Sequence, residues 1–547
     1  MSRNASIGGG KARSVRWALL LAAPLVPLTG LLAQAAPLAG RWDRVRLVHD
    51  AVRYDIALSL PDTGGRIAAT VTTRWRLGGA APLVLDLDSA MTVRRVTVNG
   101  APVRWHREGN RIAVPVSGAR GDTITTEVGY DGAPRDGLVF RGAAGARTIF
   151  ADNWPDRARF WLAAQDHPAD KAAVTWRIEA PAGYRVVANG RLEGVDTLPS
   201  GRLSWRYRND EPIPTYTMVA GMARFATTIL PAAACGIRCV PVSVLTYPTD
   251  SARAMDGPFR RSGEIVAFFS GRFGPFPYGE LRHVESSTRF GGMENATAIF
   301  YDEKAMHAGT MTEGTVAHET AHQWFGDAVT ETDWHHIWLS EGFATYGAAL
   351  WAEHEGGDSG LRAAMAANRA SVLASPATER PILDSTITER MKLLNTNSYQ
   401  KGAWVLHTLR GLMGDEAFFR GLARYYRTHA QGNALSSDFA SIMGLEAGRD
   451  LGWYFRQALT QPGYPILAAT TELDGGHLVL TIRQTQPAAW GVYRMPNLKV
   501  RLGSRVLTVD ISERVTRLAT HWEDDGPPKS VELDPDGWWL FRPTGGT

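Results

Sequence analysis

Two changes in the spacing of apolar residues divide this chain of 547 residues. From about residue 43 to 230, short runs such as Val52–Leu60 alternate apolar and polar residues, which predicts antiparallel strands. After about residue 250 the apolar residues recur at helical spacing, and from Tyr464 the strand pattern returns. The chain is therefore predicted to be a multidomain α+β protein. It would have an N-terminal antiparallel β domain, a mostly helical domain and a small C-terminal β-sandwich.

The predicted boundaries follow these changes. The β domain is placed at residues 40–238, the helical domain at 239–460 and the β-sandwich at 461–547. Asn99-Gly100 predicts a tight hairpin turn between two strands. The helices are predicted over residues 262–269, 314–324, 339–355, 365–373, 401–413, 416–429 and 451–459.

The first 35 residues are typical of a signal peptide. A basic segment ends at Arg16, an apolar run follows, and Ala33-Gln34-Ala35 fits a small-x-small cleavage site. The alternative is an uncleaved membrane anchor, although the run is short and contains Pro24 and Pro27. We expect a secreted, periplasmic or cell-envelope protein whose mature form has no transmembrane segment.

The formal net charge of +4 is confined to that N-terminal segment. Residues 1–35 carry four basic residues and no acidic ones, so the rest of the chain is formally neutral. A neutral chain argues against a broad nucleic-acid-binding surface. Cys235 and Cys239 are the only cysteines. In an oxidising compartment they could close a small disulfide loop, and otherwise they are free thiols.

The sequence His318-Glu319-Thr-Ala-His322 carries the first chemical signal. On a helix the two histidines lie one turn apart on the same face, where both can bind one Zn²⁺. Glu319 would then act as general base toward the attacking water. A pattern this short also occurs by chance on ordinary helices.

A third ligand strengthens the signal. Eighteen residues separate His322 from Glu341, which stands near the start of the next predicted helix, in Trp338-Leu-Ser-Glu-Gly-Phe-Ala. A helix packed antiparallel to the first would bring Glu341 to the two histidines and complete a catalytic two-His-one-Glu site for one Zn²⁺. The alternative is a surface carboxylate at a helix N-terminus.

Together these motifs resemble the gluzincin aminopeptidases of the aminopeptidase N and leukotriene A hydrolase family (family M1 zinc metallopeptidases). A second motif agrees with this resemblance. It begins 27 residues before His318 and comprises Gly291, Gly292, Met293, Glu294 and Asn295. In this family the corresponding segment is a substrate-binding edge strand, with alanine common at the position of Gly292. By resemblance, Glu294 would bind the free α-amino group of the substrate.

A third motif of the family contains Tyr399, in Asn397-Ser-Tyr-Gln-Lys401-Gly. By resemblance, the Tyr399 hydroxyl stabilises the oxyanion of the reaction. Relatives often carry a second amine-binding residue in the N-terminal domain, and Asp152 is the candidate here. The resemblance also implies a thermolysin-like catalytic domain. We expect this chain to be a short form without the C-terminal helical domain of the long members.

The combined prediction is a zinc aminopeptidase that acts on peptides with a free N-terminus. Two alternatives remain at this stage. One is an endopeptidase of the same zinc class, against which Glu294 argues. The other is a non-catalytic peptide-binding protein on this scaffold, against which the intact Glu319 and Tyr399 argue.

Overall fold

The computed structural model describes residues 47–234, 239–474, 476–523 and 526–544. The predicted signal peptide lies outside these residues. The N-terminal part is built from strands. They are β1 (Asp50–Ser59), β2 (Ile67–Arg76), β3 (Leu83–Asp86), β4 (Met91–Val98), β5 (Ala101–Pro102), β6 (His106–Glu108), β7 (Arg111–Val114), β8 (Thr123–Gly132), β9 (Leu138–Arg141), β10 (Thr148–Ala151), β11 (Lys171–Ala180), β12 (Arg185–Ala188), β13 (Arg191–Thr197), β14 (Leu203–Pro214), β15 (Ala220–Ala223) and β16 (Ala226–Ile229).

The main N-terminal sheet has eight strands in the order β13-β14-β11-β1-β2-β8-β4-β5. Its pairs are antiparallel except β1 with β11, which is parallel. The expectation of a purely antiparallel sheet was wrong at this pair. More than a hundred residues separate the two strands, which is ample for the crossover that a parallel pair needs. The predicted turn at Asn99-Gly100 connects β4 to β5, with φ of 50° and 81°.

The central part combines helices with a mixed sheet. Its strands are β17 (Val242–Thr246), β18 (Leu281–Ser286), β19 (Gly292–Met293), β20 (Ala298–Asp302), β21 (Val329–Glu331) and β22 (Gly432–Ala434). Its helices are α1 (Ser251–Asp256), α2 (Ser262–Phe273), α3 (Glu303–Ala308), α4 (Glu313–His322), α5 (Trp338–Ala374), α6 (Gly402–Met413), α7 (Asp415–His429), α8 (Ser436–Ala447) and α9 (Gly452–Thr460). The five-stranded sheet has the order β16-β17-β18-β20-β19, so β19 is an edge strand.

Element α5, Trp338–Ala374, has non-helical backbone at Gly357, with φ of 58°, which divides it into two helical segments. The prediction of two helices, at 339–355 and 365–373, agrees with this break, although the second segment begins earlier than predicted. A left-handed φ is accessible to glycine, so the chain changes direction there and then continues as helix. The other helix ends differ from the prediction by a few residues.

The C-terminal part consists of two packed sheets. Its strands are β23 (Ile466–Asp474), β24 (His477–Gln484), β25 (Met495–Leu502), β26 (Arg505–Ile511), β27 (Val515–His521), β28 (Val531–Leu533) and β29 (Arg542–Thr544). The sheets have the orders β27-β24-β23-β29 and β26-β25-β28. Leu480 from one and Val500 from the other share a buried cluster, as in a sandwich. The predicted fold class is confirmed, and the domain boundaries stay predictions.

The N-terminal and central parts share one hydrophobic core that runs from Ala51 to Tyr464, whereas the C-terminal sheets have their own. Lys171 on β11 also joins the first two parts. Its buried ammonium donates to the backbone carbonyls of Asp327, Ala328 and Gly432 at 2.7, 2.8 and 3.1 Å. The N-terminal sheet is therefore both packed against the central part and hydrogen-bonded to it.

Among the described residues, we find no helix with the length and apolar character needed to cross a membrane. Cys239 takes part in a disulfide bond. The other cysteine of the sequence, Cys235, lies outside the described residues.

Candidate active site

Helix α4 carries the first three residues of the site. The Thr312 hydroxyl caps its N-terminus by accepting from the Thr315 amide at 3.1 Å. His318 and His322 follow one turn apart on one face, with Glu319 between them. The chain then reverses, and α5 packs against α4 with Glu341 in its first turn.

The ligand atoms of these two helices form a small triangle. His318 Nε2 and His322 Nε2 are 3.1 Å apart, and Glu341 Oε2 lies 3.4 and 3.3 Å from them. Tetrahedral Zn²⁺ with bonds of about 2.0–2.1 Å separates its ligand atoms by about 3.3 Å. Glu341 Oε2 is buried and makes no other hydrogen bond to the described residues. The donor set and its spacing therefore fit zinc.

His322 is held in the tautomer that zinc requires. Its Nδ1 lies 3.2 Å from the Phe325 carbonyl and 3.0 Å from Ser340 Oγ. Because a carbonyl only accepts, Nδ1 carries the proton and donates it. The Nε2 lone pair then points toward the ligand triangle, which is how hydrogen bonds commonly orient zinc-binding histidines.

The electrostatics of the cluster favour a cation. Burial lowers the pKa of His322, but the carboxylates of Glu294 and Glu341 outweigh burial and raise it to about 10. Burial opposes ionisation of Glu341, yet His322 and His318 lower its pKa to about 2. Three carboxylates surround two imidazoles, because Glu319 also lies within 4.8 Å of His322 and Glu294. A divalent cation would balance this negative charge.

Glu294 directly follows strand β19 and lies beside helix α4. Burial raises the pKa of Glu294 to about 7, and Glu294 Oε1 makes no hydrogen bond to the described residues. Burial also raises the pKa of Glu319 well above its usual value. Glu319 packs directly against Gly292, where the Cβ of an alanine would lie 2.6 Å from Glu319 Cγ and still closer to its carboxylate.

Tyr399 reaches the cluster from a π-helical turn, Asn397–Lys401, that leads into α6. Its hydroxyl donates to Glu341 Oε1 at 2.8 Å, and its ring stacks on that of His318. Burial raises the Tyr399 pKa well above 10, so the hydroxyl keeps its proton and remains a donor. Gly342 and Gly402 permit this approach, since a Cβ on Gly342 would lie 2.9 Å from the Gly402 Cα.

The remaining predicted substrate-binding residues do not belong to the cluster of ligand atoms. Gly291 precedes β19, Met293 is buried, and the buried Asn295 amide makes no hydrogen bond to the described residues. Asp152 does not join the ligand cluster. Its carboxylate is ion-paired with Arg157 and with Arg289, the latter at 2.7 Å, so two guanidinium groups already neutralise its charge.

Comparison with known proteins agrees with this geometry. Residues 260–457 match the family profile described as the peptidase family M1 domain. The M1 zinc metallopeptidase from Deinococcus radiodurans superposes with a TM-score of 0.69 at 26% identity, covering 77% of this chain and 96% of that one. Aminopeptidase N from Streptomyces lividans is 27% identical over 473 residues, 81% of this chain and 54% of that protein. Over residues 260–457 the chain is thus similar to peptidase family M1, and its solved and curated relatives agree with this similarity.

Zinc is accordingly the metal of this M1 site, as the Deinococcus enzyme's description states for that protein. A variant of that enzyme has been solved with a Tyr-Ser-Ala substrate bound; it matches at 25% identity and a TM-score of 0.67, over 76% of this chain and 95% of its own. The chain spans about half the length of the curated relatives it matches.

The structure also places beside the cluster a residue that the sequence did not single out. Gln323 follows His322, and its side chain is fully buried. Its amide donates to the Glu294 carbonyl at 2.8 Å and to Asp327 Oδ2 at 2.7 Å, and its oxygen accepts from the Thr297 amide. Gln323 thus ties the segment that follows β19, where Glu294 lies, to the helix that carries His318 and His322. Its position beside His322 was the only signal in the sequence.

Proposed function

We propose that this protein is a zinc-dependent aminopeptidase that hydrolyses the N-terminal peptide bond of peptides. The observation that carries the proposal is the triangle of His318 Nε2, His322 Nε2 and Glu341 Oε2, whose edges of 3.1–3.4 Å match tetrahedral zinc. Glu294, Glu319 and Tyr399 surround that triangle. The arrangement supplies a metal site, a base, an oxyanion donor and an amine-binding carboxylate together.

Each residue of the site has a separate role in the proposed reaction. When zinc is bound, it supplies Lewis-acid polarisation of the scissile carbonyl and lowers the pKa of water. Glu319 accepts the proton of the attacking water and returns it to the leaving amine. The Tyr399 hydroxyl, which is protonated in the site, donates to the oxyanion that forms from the carbonyl oxygen.

Glu294 supports removal of single residues from a free N-terminus. Its carboxylate lies in the same buried group as Glu319 and His322, within 4.8 Å. A substrate ammonium bound there would place the first peptide bond, and no later one, beside the base. Edge strand β19 has one unpaired side and offers backbone hydrogen bonds to an extended substrate.

The first test is Glu319→Gln, which keeps the side-chain shape and removes the base. We expect kcat for an aminoacyl chromogenic substrate to fall by about 10²–10⁴ with zinc content unchanged. Glu313→Gln on the same helix, outside the ligand cluster, is the matched control and should keep full activity. Normal turnover by zinc-loaded Glu319→Gln would refute the assignment of the base.

A second test separates an aminopeptidase from an endopeptidase. The same peptide is offered with a free and with an acetylated N-terminus, and the products are identified by mass spectrometry. Cleavage after the first residue of the free peptide alone supports the proposal. Cleavage of the acetylated peptide at comparable kcat/KM would favour an endopeptidase instead.

We further propose that the protein acts outside the cytoplasm. The basic-apolar N-terminus ending at Ala33-Gln34-Ala35 supports export, and the disulfide at Cys239 suits an oxidising compartment. The N-terminal sequence of the chain recovered from its native cell envelope or culture medium tests this. A mature protein that begins near residue 36 is expected. An intact Met1 in a cytoplasmic fraction would contradict the proposal.

A further inference from the structure

The connection from β19 to β20 is a tight turn that directly follows Glu294. The Ala298 amide donates to the Asn295 carbonyl at 3.0 Å, which closes the turn. Thr297 is the third residue of this turn and has φ of 67°. A turn with positive φ at its third residue usually has glycine or asparagine there. In the described part of the chain Thr297 is the only β-branched residue with positive φ, so the backbone of this turn is strained.

Three hydrogen bonds from outside the turn hold Thr297 in this conformation. The buried Thr297 amide donates to Gln323 Oε1 at 2.9 Å. The Thr297 hydroxyl accepts from the Gly190 amide at 2.6 Å, and the Thr297 carbonyl accepts from the Arg282 amide at 2.8 Å. The amide, carbonyl and hydroxyl of this residue are thus all paired. Because a strained backbone persists only where its surroundings enforce it, these partners set the conformation of the turn.

The N-terminal part supplies two of the hydrogen bonds to this turn. Asn189 and Gly190 connect β12 to β13, and Asn189 is fully buried. The side-chain amide of Asn189 donates to the Ala296 carbonyl, inside the turn, at 2.7 Å and to the Thr217 carbonyl at 2.8 Å. Its side-chain oxygen accepts from the Val219 amide at 2.7 Å. Asn189 therefore fixes the turn to the N-terminal part.

The conformation of the turn sets the position of Glu294. Glu294 Oε1 makes no hydrogen bond to the described residues, so side-chain contacts of this oxygen do not locate the carboxylate. The Glu294 carbonyl accepts from Gln323 Nε2 at 2.8 Å. Gln323 therefore holds both ends of the segment 294–297, and Asn189 holds its middle. A shift of this segment would move the Glu294 carboxylate relative to helix α4.

We propose that Asn189, Gly190 and Thr297 are positioning residues of the amine-binding site. They keep the strained turn in the conformation in which the Glu294 carboxylate receives the ammonium of the substrate. All three are buried, so they act through the backbone of the turn and not by contact with the substrate. The inference rests on the proposed function, in which Glu294 binds that ammonium, and adds to it a contribution from the N-terminal part.

Thr297→Val is the decisive variant. Valine has nearly the same shape and is also β-branched, so it keeps the strain but removes the acceptor of the Gly190 amide. A buried amide without a partner is costly, so the turn should relax and carry Glu294 with it. Thr297→Ser keeps the hydroxyl and should restore the wild-type behaviour. Asn189→Ala should act in the same direction as the valine variant, but it leaves three backbone groups unpaired and can fail to fold for that reason alone.

The experiment compares two zinc-binding hydroxamates by isothermal titration calorimetry on the zinc-loaded full chain. Leucine hydroxamate carries the α-amine, and 4-methylpentanohydroxamate is the same molecule without it. The ratio of their dissociation constants measures the contribution of Glu294 to binding of the ammonium. We expect the wild type to prefer leucine hydroxamate by about tenfold or more, because a hydrogen bond between charged groups is worth that much. Thr297→Val should reduce this ratio by about fivefold or more and leave the affinity for the amine-free compound within about twofold.

Thr126→Val is the matched control, because the buried Thr126 hydroxyl accepts from Trp75 Nε1 at 2.9 Å within the N-terminal sheet. This variant removes an equivalent hydrogen bond away from the turn, so Tm should fall while the ratio keeps its wild-type value. Thermal unfolding and metal analysis verify that each variant is folded and zinc-loaded.

The inference is overturned if Thr297→Val keeps the wild-type ratio. It is also overturned if Thr126→Val or Thr297→Ser lowers the ratio as much as Thr297→Val does. A wild-type ratio near one is a different result. It would contradict the proposed role of Glu294 in an aminopeptidase, whatever the variants show.

Discussion

Gly292→Ala tests how the catalytic base is held. Gly292 lies in edge strand β19, and its φ is not in the left-handed region, so its backbone would accept an alanine. The space beside it is nevertheless taken by Glu319. An alanine at this position is therefore excluded unless Glu319 moves.

The size of the effect follows from the contact distances. The new Cβ would lie 2.6 Å from Glu319 Cγ, whereas an ordinary contact begins at 3.4 Å. Glu319 must therefore retreat by about 0.8 Å, and its carboxylate by more. Because a misplacement of about 1 Å in a catalytic group can cost about 100-fold, we expect kcat to fall by about that factor. KM should change little, because Glu294 and the β19 backbone stay in place.

Steady-state kinetics with an aminoacyl substrate and metal analysis of the same sample measure this effect. Gly291→Ala is the matched control, because its Cβ meets no atom within 4 Å. It should retain activity within a few-fold. The steric argument is refuted if zinc-loaded Gly292→Ala has a wild-type kcat. It is also refuted if the two alanine variants lose activity equally.

Three further outcomes are expected. Tyr399→Phe should lower kcat by about 10²–10³ without loss of zinc, as measured by kinetics and metal analysis; an unchanged kcat would exclude the hydroxyl from oxyanion binding. Chelation should lower Tm, because the carboxylates of Glu294, Glu319 and Glu341 lose their counter-charge, and added zinc should restore it in a concentration-dependent way. Burial lowers the pKa of Lys401 from 10.5 to about 7. Between pH 7 and pH 10.5 the unfolded chain therefore binds more protons than the folded chain. The free energy of unfolding of the wild type consequently rises with pH in this range. Lys401→Met should therefore be more stable than the wild type at about pH 7, by on the order of 1–3 kcal/mol, with a smaller difference at about pH 9; calorimetry giving equal stabilities at both pH values would contradict this.

The sequence was most informative where function depends on spacing within one element. Two histidines four residues apart on a helix must share a face, so the pairing of His318 with His322 could be predicted without tertiary information. The approach of Glu341 needed only the assumption that the next helix packs back. The strand-helix-strand order likewise follows from periodicity, which is local.

Features that depend on contacts between elements could not be predicted in this way. The contact of Gly342 with Gly402 allows the Tyr399 hydroxyl to reach Glu341, but neither glycine is distinguished in its own sequence neighbourhood. The pairing of Asp152 with Arg289 joins segments more than a hundred residues apart.

The common core of the N-terminal and central parts has a consequence for biosynthesis. A ribosome releases the N-terminal sheet first, but the apolar core of that sheet is completed only when residues as distant as Tyr464 have emerged. The N-terminal sheet therefore keeps part of its apolar surface uncovered until those residues are available. The C-terminal sandwich has a core of its own, so the burial of its apolar residues does not depend on the N-terminal sheet.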